Sequence, residues 1–201
     1  VSSFAKAYAG EVKYINREDD AGSRGLRISK MQYHPHTIVE NVSVNIKTGL
    51  HNLKKLPSIT TDRLLIDSIG EGDIDEYNRL CTDDKHNRFW GFDYRDEISG
   101  EPERDYFYKA VRAELANKTG LSLAIRHEGK FIGEAVINEF DFRGSANIGI
   151  RILPEYTGKG FGKEAFCAVS NSALYGLGLS TVTAYCFKQN KASFSLLSSC
   201  M

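Results

Sequence analysis

Residues 147–164, NIGIRILPEYTGKGFGKE, carry a strand, a loop, a glycine turn and the start of a helix. Ile148, Ile150 and Ile152 alternate with Gly149, Arg151 and Leu153, the period-two pattern of a β-strand rich in β-branched residues. Pro154 has no N–H to give to a ladder and ends that strand. Gly158, Gly160 and Gly162 follow at alternate positions, and Phe161, Ala165, Ala168, Val169 and Ser172 then recur at helical spacing. A glycine turn of this kind lets backbone N–H groups approach a ligand with no Cβ in the way. The helix N-terminus behind it adds the positive end of its dipole. The chemistry implied is binding of a phosphate or pyrophosphate.

Two common phosphate loops are excluded by counting. A Walker A loop, G-x-x-x-x-G-K-[ST], ending at Gly162–Lys163 would need glycine at Thr157 and a hydroxyl at Glu164. A dinucleotide fingerprint beginning at Gly158 would need glycine at Lys163. The remaining pattern, Thr157-Gly-Lys-Gly-Phe-Gly162, resembles the acetyl-CoA pyrophosphate loop of the GNAT superfamily of N-acetyltransferases, usually [QR]-x-x-G-x-[GA]. Gly160 and Gly162 match it. Thr157 replaces the usual Gln or Arg, a departure that a loop acting through backbone N–H groups tolerates.

The rest of the chain supports an α/β (α+β) fold of that kind, a mixed central sheet flanked by helices. Residues 58–66, SITTDRLLI, read as a strand followed by a turn and resemble the x-T-[ED]-R-L-x-L opening of the ribosomal-protein-alanine acetyltransferase branch. Residues 73–83 read as a helix with Ile74, Tyr77, Leu80 and Cys81 on one stripe. Asn87-Arg-Phe-Trp-Gly-Phe-Asp93 is similar to a segment that borders the acceptor site in that branch, although Phe89, Trp90 and Phe92 equally suit core or lid packing. Pro102 is placed at the first position of a helix whose apolar face is Phe107, Ala110, Val111 and Leu115. Residues 121–127 and 131–140 are strands of a hairpin turning at Glu128-Gly-Lys130, and residues 143–145 lead into the central strand. Gly176 and Gly178 stop the helix after the glycine loop, and residues 180–186 form a further strand. Phe187-Lys-Gln-Asn190-Lys-Ala-Ser193 resembles the GNAT pattern in which Asn and, three residues later, Ser or Ala precede an apolar helix. The final strands of that family have no counterpart here. The chain therefore reads as a truncated domain over residues 58–201, with an apolar helix face exposed at its end and a tendency to associate.

Residues 1–57 do not read as a self-sufficient domain. Strand-like alternation at residues 11–16 and 37–46 brackets NREDDAGSRGLRISKMQYHP, residues 16–35, which reads either as a charged loop between hairpin strands or by resemblance. That string is similar to the C-terminal signature of soluble relatives of phosphatidylglycerol lysyltransferases. The resemblance implies the β-rich remnant of one transferase-like domain over residues 1–48, a basic linker at 49–57 (GLHNLKKLP), and a second domain behind it. Because the chain starts at Val1 and stops within a helical pattern, it reads as a segment of a longer product. His34 and His36 lack further clustered ligands, so no metal site is assigned.

Composition narrows the partners. The 201 residues are 41% hydrophobic, enough for a real core, with 26 basic and 26 acidic side chains and zero formal net charge. That balance offers no electrostatic footprint for nucleic acid or an anionic membrane. No run of about 18 apolar residues and no signal-peptide core is present. Cys81, Cys167, Cys186 and Cys200 are widely spaced and read as reduced thiols of a cytoplasmic protein.

The resemblance implies a mechanism. In the family the central strand and its parallel neighbour splay apart, leaving backbone groups free for the pantetheine amides. Here Ile150, Arg151 and Ile152 supply those groups. Thr157, Gly158, Lys159, Gly160, Phe161, Gly162 and Lys163 hold the pyrophosphate of acetyl-CoA, and Asn190 fixes the pantetheine arm or its loop. Ser193 donates to the leaving thiolate, with a helix-surface serine as the plainer alternative. A primary amine, either a protein N-terminus or a small molecule, receives the acetyl group by direct transfer, and the resemblance is compatible with a homodimer. Asn147 stands where branch members often carry Glu, so the general base is left among Glu139, Asp141, Glu134 acting through water, and bulk solvent. Two other functions stay open: a non-catalytic acyl-CoA-binding module, and aminoacyl-tRNA-dependent transfer, against which the neutral charge balance argues.

Overall fold

The computed structural model describes residues 23–38, 47 and 49–200. Contacts divide the chain into two units, residues 1–45 and 46–201. In the first unit the described part holds helix α1 (Arg24–Met31), with Ser23 at its N-cap position but no side-chain cap, where the sequence suggests a loop. Leu26, Ile28 and Lys30 are helix-compatible, and Gly25 is the only strong breaker among them. The expected strand at residues 11–16 lies outside the described residues. So does most of the one at 37–46, whose first two residues are not in a strand.

The second unit is a six-stranded sheet in the order β1 (Ile59–Thr60), β2 (Leu64–Ser68), β3 (Leu121–His127), β4 (Lys130–Asn138), β5 (Ser145–Ile152), β6 (Thr181–Thr183). All neighbours are antiparallel except β5 and β6, which are parallel. A parallel pair needs a long crossover. Helix α5 (Phe161–Asn171) and the π-turn Ser172–Gly176 supply it. Helices α2 (Ile74–Thr82) and α4 (Tyr106–Asn117), with the short α3 (Asp84–Asn87) between them, precede β3. Helix α6 (Lys191–Ser198) follows β6.

Alternation along the strands sends side chains to two cores. Ile66, Leu123, Ile125, Ile137 and Ile148 pack with Phe161, Ala165 and Val169 of α5. Ala124 and Phe131 belong to a second core with Tyr77 and Leu80 of α2 and Phe107 and Val111 of α4. The sheet is thus the middle of three layers, an α/β arrangement with helices on both faces.

Four local expectations are revised. Residues 58–66 are two short strands rather than one, because Thr61 accepts from the N–H of Leu64 and closes a turn between them. Residues 49–57 are not a free connector: they begin with a 3-10 turn whose Leu50 is fully buried, and Leu53 and Leu56 pack on the same core. Pro102 lies ahead of α4, which starts at Tyr106 after Asp105. The strand expected at 180–186 pairs only over Thr181–Thr183. The β3–β4 hairpin turns on Glu128 (φ 51°) and Gly129 (φ 77°), both left-handed as a type I′ turn requires. One residue later in the ladder, Ile132 is a bulge between the pairs Arg126–Phe131 and Ile125–Gly133.

Candidate active site

The site forms where β5 loses its parallel partner. Pairing to β6 covers Ser145–Thr181, Ala146–Val182 and Asn147–Thr183, while β5 runs on to Ile152. On the other side the N–H of Leu153 bonds the carbonyl of Ile132 at 2.8 Å, which sets the phase of the antiparallel ladder. Alternate residues Gly149 and Arg151 then face β4. Ile150 and Ile152 turn their backbone N–H and C=O groups toward the open edge. A cleft of about 980 Å³ lies along that edge, within the size range of a ligand site.

At one end of the cleft stands the glycine loop. After β5, Pro154–Tyr156 forms a single 3-10 turn, and Gly158 (φ 74°) and Gly160 (φ 83°) adopt left-handed conformations that L side chains rarely accept. Gly160 caps α5, whose first intrahelical bond runs from Glu164 N–H to the Gly160 carbonyl. The N–H groups of Phe161, Gly162 and Lys163 therefore lack a helical acceptor, which is the arrangement that binds anions. Thr157, Gly158, Gly160, Gly162 and Lys163 all line the cleft. Two predicted loop residues do not offer side chains to it. Phe161 is buried in the core, stacked under Arg63 and beside His127. Lys159 lies over the ring of Tyr156, with its carbonyl held by Arg63 at 3.0 Å.

Arg63 belongs to a clamp that sequence reasoning missed. The carboxylate of Glu164 accepts from Thr61 Oγ1 at 2.6 Å, from the Arg63 N–H at 3.0 Å and from Arg63 Nε at 2.7 Å. Burial tends to raise its pKa, but the Thr61 and Arg63 bonds outweigh burial and hold it below the usual range. The T-D-R motif at the start of the sheet thus fixes the first turn of α5 and the backbone of the loop. The signal was on the page in the spacing of Thr61, Arg63 and Glu164, but only the fold brings them together.

The floor of the cleft is a buried ion pair. Glu134 on β4 is directly opposite Arg151 on β5. Arg151 Nε donates to Glu134 at 2.8 Å and Nη2 lies 2.7 Å from it, with 1% of the Glu134 side chain and 10% of the Arg151 side chain exposed. Tyr77 donates its hydroxyl to the other Glu134 oxygen at 2.7 Å. Arg151 also reaches Asn87 Oδ1 and Cys81 Sγ, and Trp90 covers its guanidinium at 4.7 Å. Burial pushes the Cys81 thiol up to about 12, so it is held as an inert thiol. Trp90 packs so closely on Gly149 that a Cβ there would meet its ring at 2.7 Å.

At the opposite wall, Asn190 caps α6 by accepting from the Ser193 N–H at 3.2 Å, and Ser193 lines the cleft. The three carboxylates considered as base separate clearly. Glu134 is committed to Arg151 and Tyr77, and Asp141 accepts from the N–H groups of Arg143 and Ser145 to close its turn. Glu139 is exposed at the cleft, in a left-handed conformation (φ 52°) just beyond β4. Asn147 donates to Asn138 at 3.3 Å, and its buried Oδ1 has no partner among the described residues. No group of three or more His, Cys, Asp or Glu suited to a metal occurs among the described residues, and none of the described helices is long and apolar enough to cross a membrane.

A model of the acetyltransferase (GNAT) domain matches residues 63–200. The chain belongs to the GNAT acetyltransferase family. It is 28% identical over 144 residues to an uncharacterised N-acetyltransferase, YoaA, of Bacillus subtilis, an alignment covering 70% of this chain and 80% of that protein. Among solved structures it is similar in fold to the spermidine N-acetyltransferase of Vibrio cholerae in complex with CoA and spermine. There the TM-score is 0.60 and the identity 17%, over 70% of this chain and 80% of that one. The microcin C7 self-immunity acetyltransferase MccE, in complex with acetyl-CoA and AMP, gives a TM-score of 0.58 at 19% identity, over 70% and 78% of the two chains. The family match begins at Arg63, so residues 1–48 lie outside it.

Proposed function

We infer that this GNAT domain transfers an acetyl group from acetyl-CoA directly to a primary amine. The observation that carries this is the open edge of β5 leading into the left-handed glycine loop at the head of α5. Such an edge and loop suit a chain of amides ending in a pyrophosphate. The exposed backbone of Ile150 and Ile152 takes the pantetheine amides, whereas Arg151 contributes structure through its ion pair. The N–H groups of Phe161, Gly162 and Lys163 take the pyrophosphate, and Lys159 and Lys163 add positive charge nearby. When bound, acetyl-CoA supplies an activated acyl carbon and a thiolate leaving group.

The chain's own groups do the rest. Backbone N–H groups of β5 stabilise the oxyanion, and Ser193 Oγ donates to the departing thiolate. Asn190 acts by holding Ser193 in place rather than by touching the cofactor. Glu139, the carboxylate left uncommitted by the geometry, takes the proton of the amine through water. The aromatic wall of Phe89, Trp90 and Phe187 receives the acceptor, either a protein N-terminus, as the resemblance to the ribosomal-protein-alanine branch suggests, or a small amine. The division of the chain at residues 45 and 46 suits a separate first segment, whose lysyltransferase-like character rests on the sequence resemblance alone. Four free thiols suit the cytoplasm.

The test is release of CoA thiol from acetyl-CoA across a panel of amines, paired with calorimetry on Gly160→Asp. A side chain and a negative charge at that position should abolish acetyl-CoA binding with the fold retained. Unchanged affinity in the folded variant refutes the loop assignment. Tight binding without turnover on any amine would instead favour the non-catalytic acyl-CoA module, a reading to which the amide at Asn147 lends support.

A further inference from the structure

Two cysteines that are far apart in sequence meet beside the cleft. Cys167, on α5, and Cys200, just after α6, lie with their sulfurs 3.4 Å apart, 33 residues apart in the chain. Both are half-buried free thiols. Reading the four cysteines as isolated therefore needs correction for this pair. Burial and then the hydrogen bond with Cys200 raise the Cys167 pKa, so only a small thiolate fraction is present at neutral pH and its oxidation is slow, the sulfur contact rather than thiol acidity favouring the pair. The helices that carry or precede these thiols are also the ones that build the site. Helix α5 begins at the glycine loop, α6 carries Ser193, and Leu196 packs on Gly162, 3.2 Å from where a Cβ would stand.

We propose that Cys167 and Cys200 form a reversible oxidation site that fastens the end of α6 to α5 and narrows the acetyl-CoA cleft. With a hydroperoxide as oxidant, one thiolate attacks the peroxide oxygen. The O–O bond breaks, leaving a sulfenic acid and a hydroxide that takes up a proton. The second thiolate then attacks that sulfur, the S–O bond breaks, and a second hydroxide is protonated to water. In total two thiols lose two electrons and two protons, and hydrogen peroxide is reduced to two waters. An S–S bond of about 2.05 Å requires the sulfurs to approach by about 1.4 Å. Leu196 already touches Gly162, so drawing α6 inward closes space on the loop rather than filling a void. A thiol brings the enzyme back by exchange.

The experiment uses the 201-residue chain, fully reduced, then treated with hydrogen peroxide, quenched with an alkylating agent and digested. The expected result is a linked Cys167–Cys200 peptide two hydrogens lighter than the free pair. The unfolding midpoint should rise by about 7–15 °C, as closing a loop of this length predicts. The acetyl-CoA Kd should rise at least threefold. All three changes should reverse with dithiothreitol and be absent in Cys167→Ser and in Cys200→Ser. Linkage through Cys81 or Cys186, or over-oxidation of either thiol without linkage, overturns the proposal. A linked pair with unchanged affinity overturns its control of the cleft. The affinity arm rests on the acetyl-CoA site inferred above. If the reduced protein binds no acetyl-CoA, that inference fails, while the peptide map still decides the thiol pair.

Discussion

Replacing Glu134 by Gln separates a structural carboxylate from a catalytic one. The substitution keeps the size of the side chain and removes its charge. It leaves the Arg151 guanidinium, 10% exposed, without the anion that now sits 2.7 Å away. Gln also cannot accept on both terminal atoms, so either Tyr77 or Arg151 meets an N–H donor in place of an oxygen. Breaking a buried pair from one side costs about 3–5 kcal/mol, because the other charge stays desolvated. For a chain of this size that is a fall in the unfolding midpoint of about 6–20 °C. Thermal unfolding followed by Trp90 fluorescence and far-UV circular dichroism measures the shift, and urea unfolding the free energy. Trp90 is the only tryptophan and lies on Arg151, so it reports the site itself. The double variant Glu134→Leu with Arg151→Met removes both charges and should recover most of the loss. A Glu134→Gln protein with the wild-type midpoint, intact acetyl-CoA affinity and abolished turnover would refute this reasoning and make Glu134 the base.

Ser193→Ala should lower kcat about tenfold or more with acetyl-CoA affinity nearly intact, since its bond strengthens only as the thiolate forms. Stopped-flow single turnover checks it, and unaltered chemistry would leave Ser193 structural. Gly149→Ala forces the Trp90 ring off β5, so the acceptor KM should rise about threefold while acetyl-CoA affinity holds; steady-state kinetics with each substrate varied decides this. Asp73→Asn addresses acid stability. Arg126 grips Asp73 at 2.6 and 2.8 Å, and although burial alone would raise its pKa, the bonds from Arg126 and the Gly70 N–H lower it on balance. A lowered carboxyl pKa gives stability that is present above the unfolded value near pH 4 and lost as pH falls through the folded value. Wild type should therefore exceed the variant by about 1–3 kcal/mol at pH 7, with the gap closing toward pH 3 in urea titrations.

Much of the scaffold was legible because its signals are local. The period of Ile148, Ile150 and Ile152, the stop at Pro154 and the glycine spacing each act within a few residues, and each element stands where they place it. The misplaced helix start at Pro102 and the shortened last strand failed for a common reason. A proline is compatible with a first turn but does not compel one, and residues 184–186 are strand-like yet have no neighbour to pair with once β5 and β6 diverge. Residues 49–57 looked like a linker because Lys54 and Lys55 dominate the eye. Leu50, Leu53 and Leu56, three apart, carry the burial.

The site was only half legible, and the division follows the physics of each half. The proposed cofactor side is built from backbone: an open strand edge and left-handed glycines, which sequence betrays through the residues that permit them. The proposed acceptor side is built from side chains that meet across the sheet. Nothing within β4 alone says that Glu134 faces Arg151, because their pairing depends on the length of the turn between two strands. Nothing near Trp90 says that it lies on Gly149, where the missing Cβ makes room for it. The same logic ranks the carboxylates. Glu134 and Asp141 are spent on holding the floor and the turn, which favours the proposed proton path through the one at the rim over bulk solvent. Glu139 sits in a left-handed conformation that costs a non-glycine residue about 1 kcal/mol or more. A fold retains such a cost more readily at a functional edge than in a plain turn, where Asn or Gly would relieve it.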